Sequence, residues 1–136
     1  MPKIHVLTWK DFDEAVNVMA GQIEKSKMSV VYIYGVPRGG LPIAVALSHR
    51  LGLTFVETCP ADLSGTLIVD DVVETGKTFR EYVVDKRAPF FWCWVSKSPS
   101  IAVPAVLLRP QDEWLVFPWE DPAQAKESVK DFYSRR

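Results

Sequence analysis

The stretch Thr66-Leu67-Ile68-Val69-Asp70-Asp71-Val72-Val73-Glu74-Thr75-Gly76-Lys77-Thr78 constrains the fold of this chain more than any other. It begins as an apolar, β-branched run, meets two adjacent carboxylates, and turns through Glu-Thr-Gly-Lys-Thr toward a helix. Strand, glycine-bearing turn and helix make the unit of an open α/β sheet, whose ligands bind just beyond the carboxyl ends of the strands. The turn offers successive backbone N–H groups, two hydroxyls and a helix start, which together suit a phosphate monoester. Asp70 and Asp71 then stand beside that phosphate as acceptors for sugar hydroxyls or as an anchor for magnesium. The ligand implied is a phosphorylated sugar.

The plain alternative is an apolar strand that ends in Asp-Asp and serves no ligand. A P-loop is a sharper rival, because Gly76-Lys77-Thr78 looks like the end of G-x-x-x-x-G-K-[ST]. That pattern needs Gly at position 71, where the chain carries Asp71. The P-loop reading fails there.

A chain of 136 residues, 48% apolar and 24% charged, has the length and composition of one soluble globular domain. A formal net charge of −1 leaves no basic surplus for nucleic acid. No uninterrupted apolar stretch approaches the roughly 18 residues of a membrane span. Met1-Pro2-Lys3-Ile4-His5 lacks the apolar segment of a secretory signal. Two cysteines, Cys59 and Cys93, are too few for a disulfide framework, so the expected compartment is the reducing cytoplasm.

Thr8 and Asp11 form a capping-box-like pair before a helix expected over about 9–25, whose apolar side is Ala15, Val16, Met19, Ala20 and Ile23. Val30-Val31-Tyr32-Ile33-Tyr34 reads as a central parallel strand. Gly35-Val36-Pro37-Arg38-Gly39-Gly40-Leu41-Pro42 follows, then a helix over 43–51 stopped by Gly52. Gly39 and Gly40 let the main chain approach a ligand closely, and Arg38 supplies a forked donor for phosphate oxygens. A mere tight turn explains the same residues. Taken with the 70–78 turn, however, it makes a second anion site at a strand end.

Further strands are expected over 54–58, 89–95 and 105–108, with a helix over about 76–86 carrying Phe79, Tyr82 and Val83. Lys97 follows the aromatic strand, either solvated or aimed as a donor at a ligand carbonyl. Trp114 is either packing or a flat ring for a base to stack upon. Asp121, Pro122 and Gln124 open a last helix, with Val129, Phe132 and Tyr133 on its apolar side and Arg135 and Arg136 at its end. His5 and His49 have no partners at metal-ligand spacing.

Val69-Asp70-Asp71-Val72-Val73-Glu74-Thr75-Gly76-Lys77-Thr78 resembles the phosphoribosyl-pyrophosphate (PRPP) signature of type I phosphoribosyltransferases: hydrophobic residues, two acids, a spacer, a third acid and Thr-Gly-x-Thr. Val36-Pro37-Arg38-Gly39-Gly40 resembles the pyrophosphate loop of that family. Thr8-Trp9, Lys97, Trp114 and Pro118-Trp119-Glu120 are similar to the xanthine-guanine (6-oxopurine) enzymes, so the likeness runs from Thr8 to Glu120. The chain departs from the family at 59–65, where a long flexible catalytic loop is replaced by seven residues without a Ser-Tyr pair.

The resemblance implies an α/β fold with a parallel sheet of about five strands, helices on both faces and a small C-terminal hood. It implies one domain over 1–136: a core of about 28–108, a hood of about 109–121 with the N-terminal segment, and a helix over about 122–134. The expected reaction joins PRPP to guanine, xanthine or hypoxanthine, giving the nucleoside 5′-monophosphate and pyrophosphate. In that reading Glu74, Thr75, Gly76, Lys77 and Thr78 hold the 5′-phosphate, while Pro37, Arg38, Gly39 and Gly40 hold pyrophosphate. Asp70 and Asp71 hold the ribose hydroxyls, and Asp71 contacts magnesium. Glu74 either takes the purine N7 proton or is a helix-start carboxylate favoured by the dipole. Lys97 reads the 6-oxo group, Trp114 stacks on the ring and the Leu115 main chain reads the 2-position. A homo-dimer or higher oligomer is expected, with no nucleic acid or membrane partner. The alternative is a PRPP- or nucleotide-binding regulatory module with little catalysis, because the long loop is missing.

Overall fold

A computed structural model describes residues 2–134, with side chains as far as residue 131. The expected contributions of the Phe132 and Tyr133 side chains and of Arg135 and Arg136 lie outside the described residues. The elements run β1 (Ile4–Val6), α1 (Trp9–Ser26), β2 (Tyr32–Gly35), α2 (Gly40–Leu51), β3 (Thr54–Phe55) and β4 (Thr66–Val73). After them come α3 (Lys77–Arg80), a π-helical segment (Glu81–Asp85), β5 (Phe90–Ser96), β6 (Ala105–Leu108), β7 (Trp114–Val116) and α4 (Pro122–Ser134). Two compact units divide them: Ala15–Arg109, and Met1–Glu14 with Pro110–Arg136. No described helix is long and apolar enough to cross a membrane.

The larger unit is built on a five-stranded sheet in the order β3-β2-β4-β5-β6, parallel throughout. Its central strands are buried on both faces, which is why they read as continuous apolar runs rather than alternating ones. On one face Tyr34, Ile68, Phe91 and Cys93 pack with Tyr82 of the π-helical segment. Phe79 meets the Phe91 ring edge-on at 5.1 Å, and Tyr82 lies 6.1 Å from Tyr34. The alternate residues Ile33, Leu67, Val69, Trp92 and Trp94 are buried on the other face. There Trp92 Nε1 donates to Gln22 of α1 at 2.9 Å, and α2 packs on β2 and β4.

Several expected boundaries shift, those of the strands because a strand is only as long as its partners allow. β2 covers 32–35 rather than 30–34, since its neighbour β4 starts opposite Tyr32 at Thr66. β3 keeps two of the five expected residues, Thr54 and Phe55, because β2 offers it only Tyr32 and Ile33. β4 does not end at the carboxylates. It continues to Val73, because β5 goes on pairing with Val72 and Val73 after β2 has ended. The helix expected over 76–86 is α-helical only to Arg80, then widens, with Lys86 N–H reaching back to the Glu81 carbonyl.

In the smaller unit β1 and β7 pair in parallel, Ile4 opposite Trp114 and Val6 opposite Val116. Phe117 and Trp119 stack at 5.3 Å, and Phe12 meets Trp119 edge-on at 6.2 Å. The expected capping box is present: Asp11 N–H donates to Thr8 Oγ1 at 3.1 Å and Thr8 N–H to Asp11 Oδ2 at 2.8 Å. Ala123 N–H donates to Asp121 Oδ1 at 2.9 Å at the start of α4. His5 Nδ1 lies 3.5 Å from Glu113 Oε1.

Candidate functional site: two loops on one strand end

β2 and β4 are neighbours, and β2 stops at Gly35 while β4 runs four residues further, from its last paired residue Val69 to Val73. The diacid therefore lies on a strand end that has lost one neighbour, and the 36–39 loop takes that place. Val36 N–H donates to the Val69 carbonyl at 2.9 Å, and Gly40 N–H returns to the Val36 carbonyl at 2.8 Å. The Pro37–Arg38 peptide is cis. Glycine is required where this loop crosses β4. A Cβ on Gly40 would lie 2.5 Å from the Val69 carbonyl oxygen, and one on Gly39 would overlap the Asp71 carboxylate.

Asp70 Oδ1 accepts from Asp71 N–H and Asp71 Oδ1 from Val72 N–H, both at 2.8 Å. Burial pushes the Asp70 carboxyl far above the usual carboxylate range, to about 8, with the adjacent Asp71 adding to the rise. Burial raises the Asp71 carboxyl as well. Two shielded carboxyl groups side by side suit hydroxyl donors and a divalent cation, each of which favours their ionised form.

The 74–78 turn begins where β4 ends. Gly76 takes the left-handed conformation (φ 86°), which a side chain would strain. Thr75 Oγ1 accepts from Lys77 N–H at 3.3 Å, and Arg80 N–H reaches the Gly76 carbonyl at 2.9 Å. First-turn N–H groups have no acceptor within their own helix; Lys77 N–H turns instead to Thr75 Oγ1 over a long 3.3 Å, a bond an anion can replace. One cavity of ≈ 440 Å³ is lined by Val36, Pro37, Arg38 and Gly39 on one side and the continuous run 70–79 on the other. The structure thus brings Pro37, Arg38, Gly39, Asp70, Asp71, Glu74, Thr75, Gly76, Lys77 and Thr78 to one space. Gly40 stands behind it as the first residue of α2.

Lys97 is buried at the end of β5, with Nζ 3.6 Å from Glu74 Oε1. Glu74 is thus an ion-pair partner as well as a wall of the cavity. Trp114 and Leu115 lie on β7, in the other unit. Sequence reasoning passed over Ser96 and Ser98. Both are buried, and Ser98 Oγ donates to the Glu74 carbonyl. Their only signal was a Ser-Lys-Ser run closing a strand that is otherwise apolar.

No family model matches the chain. A purine phosphoribosyltransferase from Pyrococcus horikoshii superposes with a TM-score of 0.69 at 34% identity, over 87% of this chain and 94% of that one. The chain belongs to the type I phosphoribosyltransferases. A xanthine-guanine phosphoribosyltransferase of Vibrio parahaemolyticus is 25% identical over an alignment of 153 positions, covering 95% of this chain and 97% of the relative. A Helicobacter pylori xanthine-guanine-hypoxanthine phosphoribosyltransferase shares the fold at 20% identity, with a TM-score of 0.69. As in other type I phosphoribosyltransferases, the fold is a central parallel sheet of five strands with helices.

Proposed function

We propose that this phosphoribosyltransferase transfers the 5-phosphoribosyl group of PRPP to a 6-oxopurine, releasing pyrophosphate. The observation that carries the reading is the single cavity lined by both the 36–39 loop and the 70–79 run. PRPP has a phosphate at one end and a pyrophosphate at the other, so it needs two anion sites with hydroxyl acceptors between them. The 75–78 turn receives the 5′-phosphate. The Arg38 guanidinium and the backbone of 37–40 receive pyrophosphate. Asp70 and Asp71 accept from the 2′- and 3′-hydroxyls.

Breaking the bond between the anomeric carbon and pyrophosphate develops positive charge on the ribose and negative charge on the leaving group. Catalysis is then mainly positioning and electrostatics, with Arg38 facing the leaving group and the two carboxylates beneath the ribose. The donors also fit magnesium. Among the described residues no three His, Cys, Asp or Glu form a metal cluster. A magnesium ion held by one or two carboxylates, substrate oxygens and water needs none. Asp71 is the residue to hold it, and when bound it neutralises the pyrophosphate.

In this reading Lys97 donates to the 6-oxo group, and Glu74, its ion-pair partner, takes the N7 proton. A buried ammonium facing adenine would meet another donor, so 6-oxopurines are favoured. Stacking on Trp114, reading by Leu115 and a homo-oligomeric state rest on the family resemblance, and a cytoplasmic location on the two-cysteine composition. Incubation with PRPP, magnesium and a purine panel tests the reading. Guanine, hypoxanthine or xanthine should give the 5′-monophosphate with stoichiometric pyrophosphate, and adenine as the best substrate would remove Lys97 from its role.

One observation favours the second reading, a PRPP-binding module with little turnover. The 56–65 connection is pinned rather than free: Leu63 is in the core, with Val56 and Cys59 packed on the same cluster. Ser64 N–H donates to Asp62 Oδ1 at 2.9 Å and Thr66 N–H to the Leu63 carbonyl at 3.1 Å. Tight PRPP binding without pyrophosphate release, for every purine tried, would favour the module.

A further inference from the structure

The 75–78 turn has few bonds of its own: Lys77 N–H donates to Thr75 Oγ1 at 3.3 Å, and Arg80 donates to the Thr75 and Gly76 carbonyls at 3.4 and 2.9 Å. Its Gly76 is left-handed, and the α-helix after it lasts only from Lys77 to Arg80. The segment that follows β5 ties the turn further. Lys97 N–H donates to the Val73 carbonyl at 2.8 Å, the last backbone tie of the β4 end to its neighbour. One residue on, buried Ser98 sends its hydroxyl to the Glu74 carbonyl. Three residues further, Ile101 packs so closely on Gly76 that a Cβ there would overlap its Cδ1.

Ser98 is itself held. Ser96 Oγ takes the Ser98 N–H at 3.3 Å and donates to the Ser98 carbonyl at 3.4 Å. Ile101 N–H closes the turn on that same carbonyl at 3.0 Å. Ser96, Lys97 and Ser98 are all buried, and burial of three consecutive polar side chains is costly unless each is engaged. The run is therefore a built strut. It reaches the phosphate turn through a hydrogen bond to Glu74 and an apolar contact on Gly76.

We propose that Ser98 is a positioning residue for PRPP: through the Glu74 carbonyl it sets the 75–78 backbone that receives the 5′-phosphate. This rests on the phosphoribosyl reading above. The 5′-phosphate does not change during the reaction, so the strut serves ground state and transition state alike. Its loss should appear in affinity rather than turnover.

The test compares wild type, Ser98→Ala and Ser98→Thr by calorimetry with PRPP and magnesium, by steady-state kinetics, and by amide exchange of residues 75–78 in the free protein. Ser98→Ala should weaken PRPP binding and raise its KM about tenfold, the size of one lost hydrogen bond. Its kcat and purine KM should stay within about twofold of wild type, and exchange in the turn should quicken. Ser98→Thr, which keeps the hydroxyl, should restore all three. If Ser98→Ala does not fold, Ile101→Ala removes the other prop and should shift the same readouts in the same direction. Wild-type exchange in the turn of Ser98→Ala, or failed rescue by a folded Ser98→Thr, overturns the proposal. A wild type that does not bind PRPP at all overturns the phosphoribosyl reading instead, while the exchange experiment still decides the strut.

Discussion

Gly39 leaves no room for a methyl group, because the Asp71 carboxylate occupies the space a Cβ would take. Gly39→Ala must displace either the loop or the carboxylate, and both belong to the proposed PRPP site. The cheaper shift is of the Asp71 side chain, so calorimetry should show PRPP binding abolished while urea denaturation shows the fold retained. Binding at wild-type strength would mean that the Asp71 carboxylate is not part of the site. Asp70 carries a pH signature. Its folded carboxyl is raised to about 8 against an ordinary value of 3.8, so the folded state holds the proton more tightly. That contribution to stability is complete below about pH 4 and is lost as pH rises toward 8. Metal-free wild type should therefore lose stability between pH 5 and pH 8, on the order of a few kcal/mol, and Asp70→Asn should flatten the loss. Equal pH slopes in the two proteins would contradict this. The identity of the diacid was plain in the sequence, but its burial was not, since burial depends on the loop docked over it.

At the scale of elements, what was legible followed local chemistry. The reciprocal Thr8–Asp11 bonds are a pattern of two residues three apart, and the structure reproduces them. Thr8→Ala should cost about 1 kcal/mol in chemical denaturation, while a change under about 0.2 kcal/mol would show that the cap carries no load. What was not legible depended on partners. Thr54-Phe55-Val56-Glu57-Thr58 has strand chemistry throughout, yet only Thr54 and Phe55 find ladder partners on β2. Asp70 and Asp71 look like a strand terminus, yet β5 carries the ladder on to Val73. The widening at Glu81–Asp85 left no trace in the periodicity, because Phe79, Tyr82 and Val83 fit an ordinary helix equally well.

For the whole molecule, strand order is what creates the site. β2 and β4 are separated in sequence by α2, β3 and a ten-residue connection, yet they lie side by side, so two distant loops share one cavity. The same order places Cys93 in the middle of the sheet, opposite Asp70 on one side and Ala105 on the other, and burial pushes its thiol far above the ordinary range. Cys59 is only half-buried. Ellman's reagent should therefore modify Cys59 rapidly in the native protein. Cys93 should react only as fast as the core opens, and fully once urea unfolds the chain. Two thiols titrating at one rate in native buffer would contradict the sheet order.

The residue types and spacings of 36–40 and 66–78 were enough by themselves to mark an apolar strand, a diacid, a glycine turn and an arginine loop, because all of these are local. Only the tertiary structure decided that the two loops meet, that Glu74 pairs with Lys97, and that Ser98, just past β5, bonds to the Glu74 carbonyl. Those are contacts between segments more than twenty residues apart. They are selected by packing and ladder register, which no local pattern encodes.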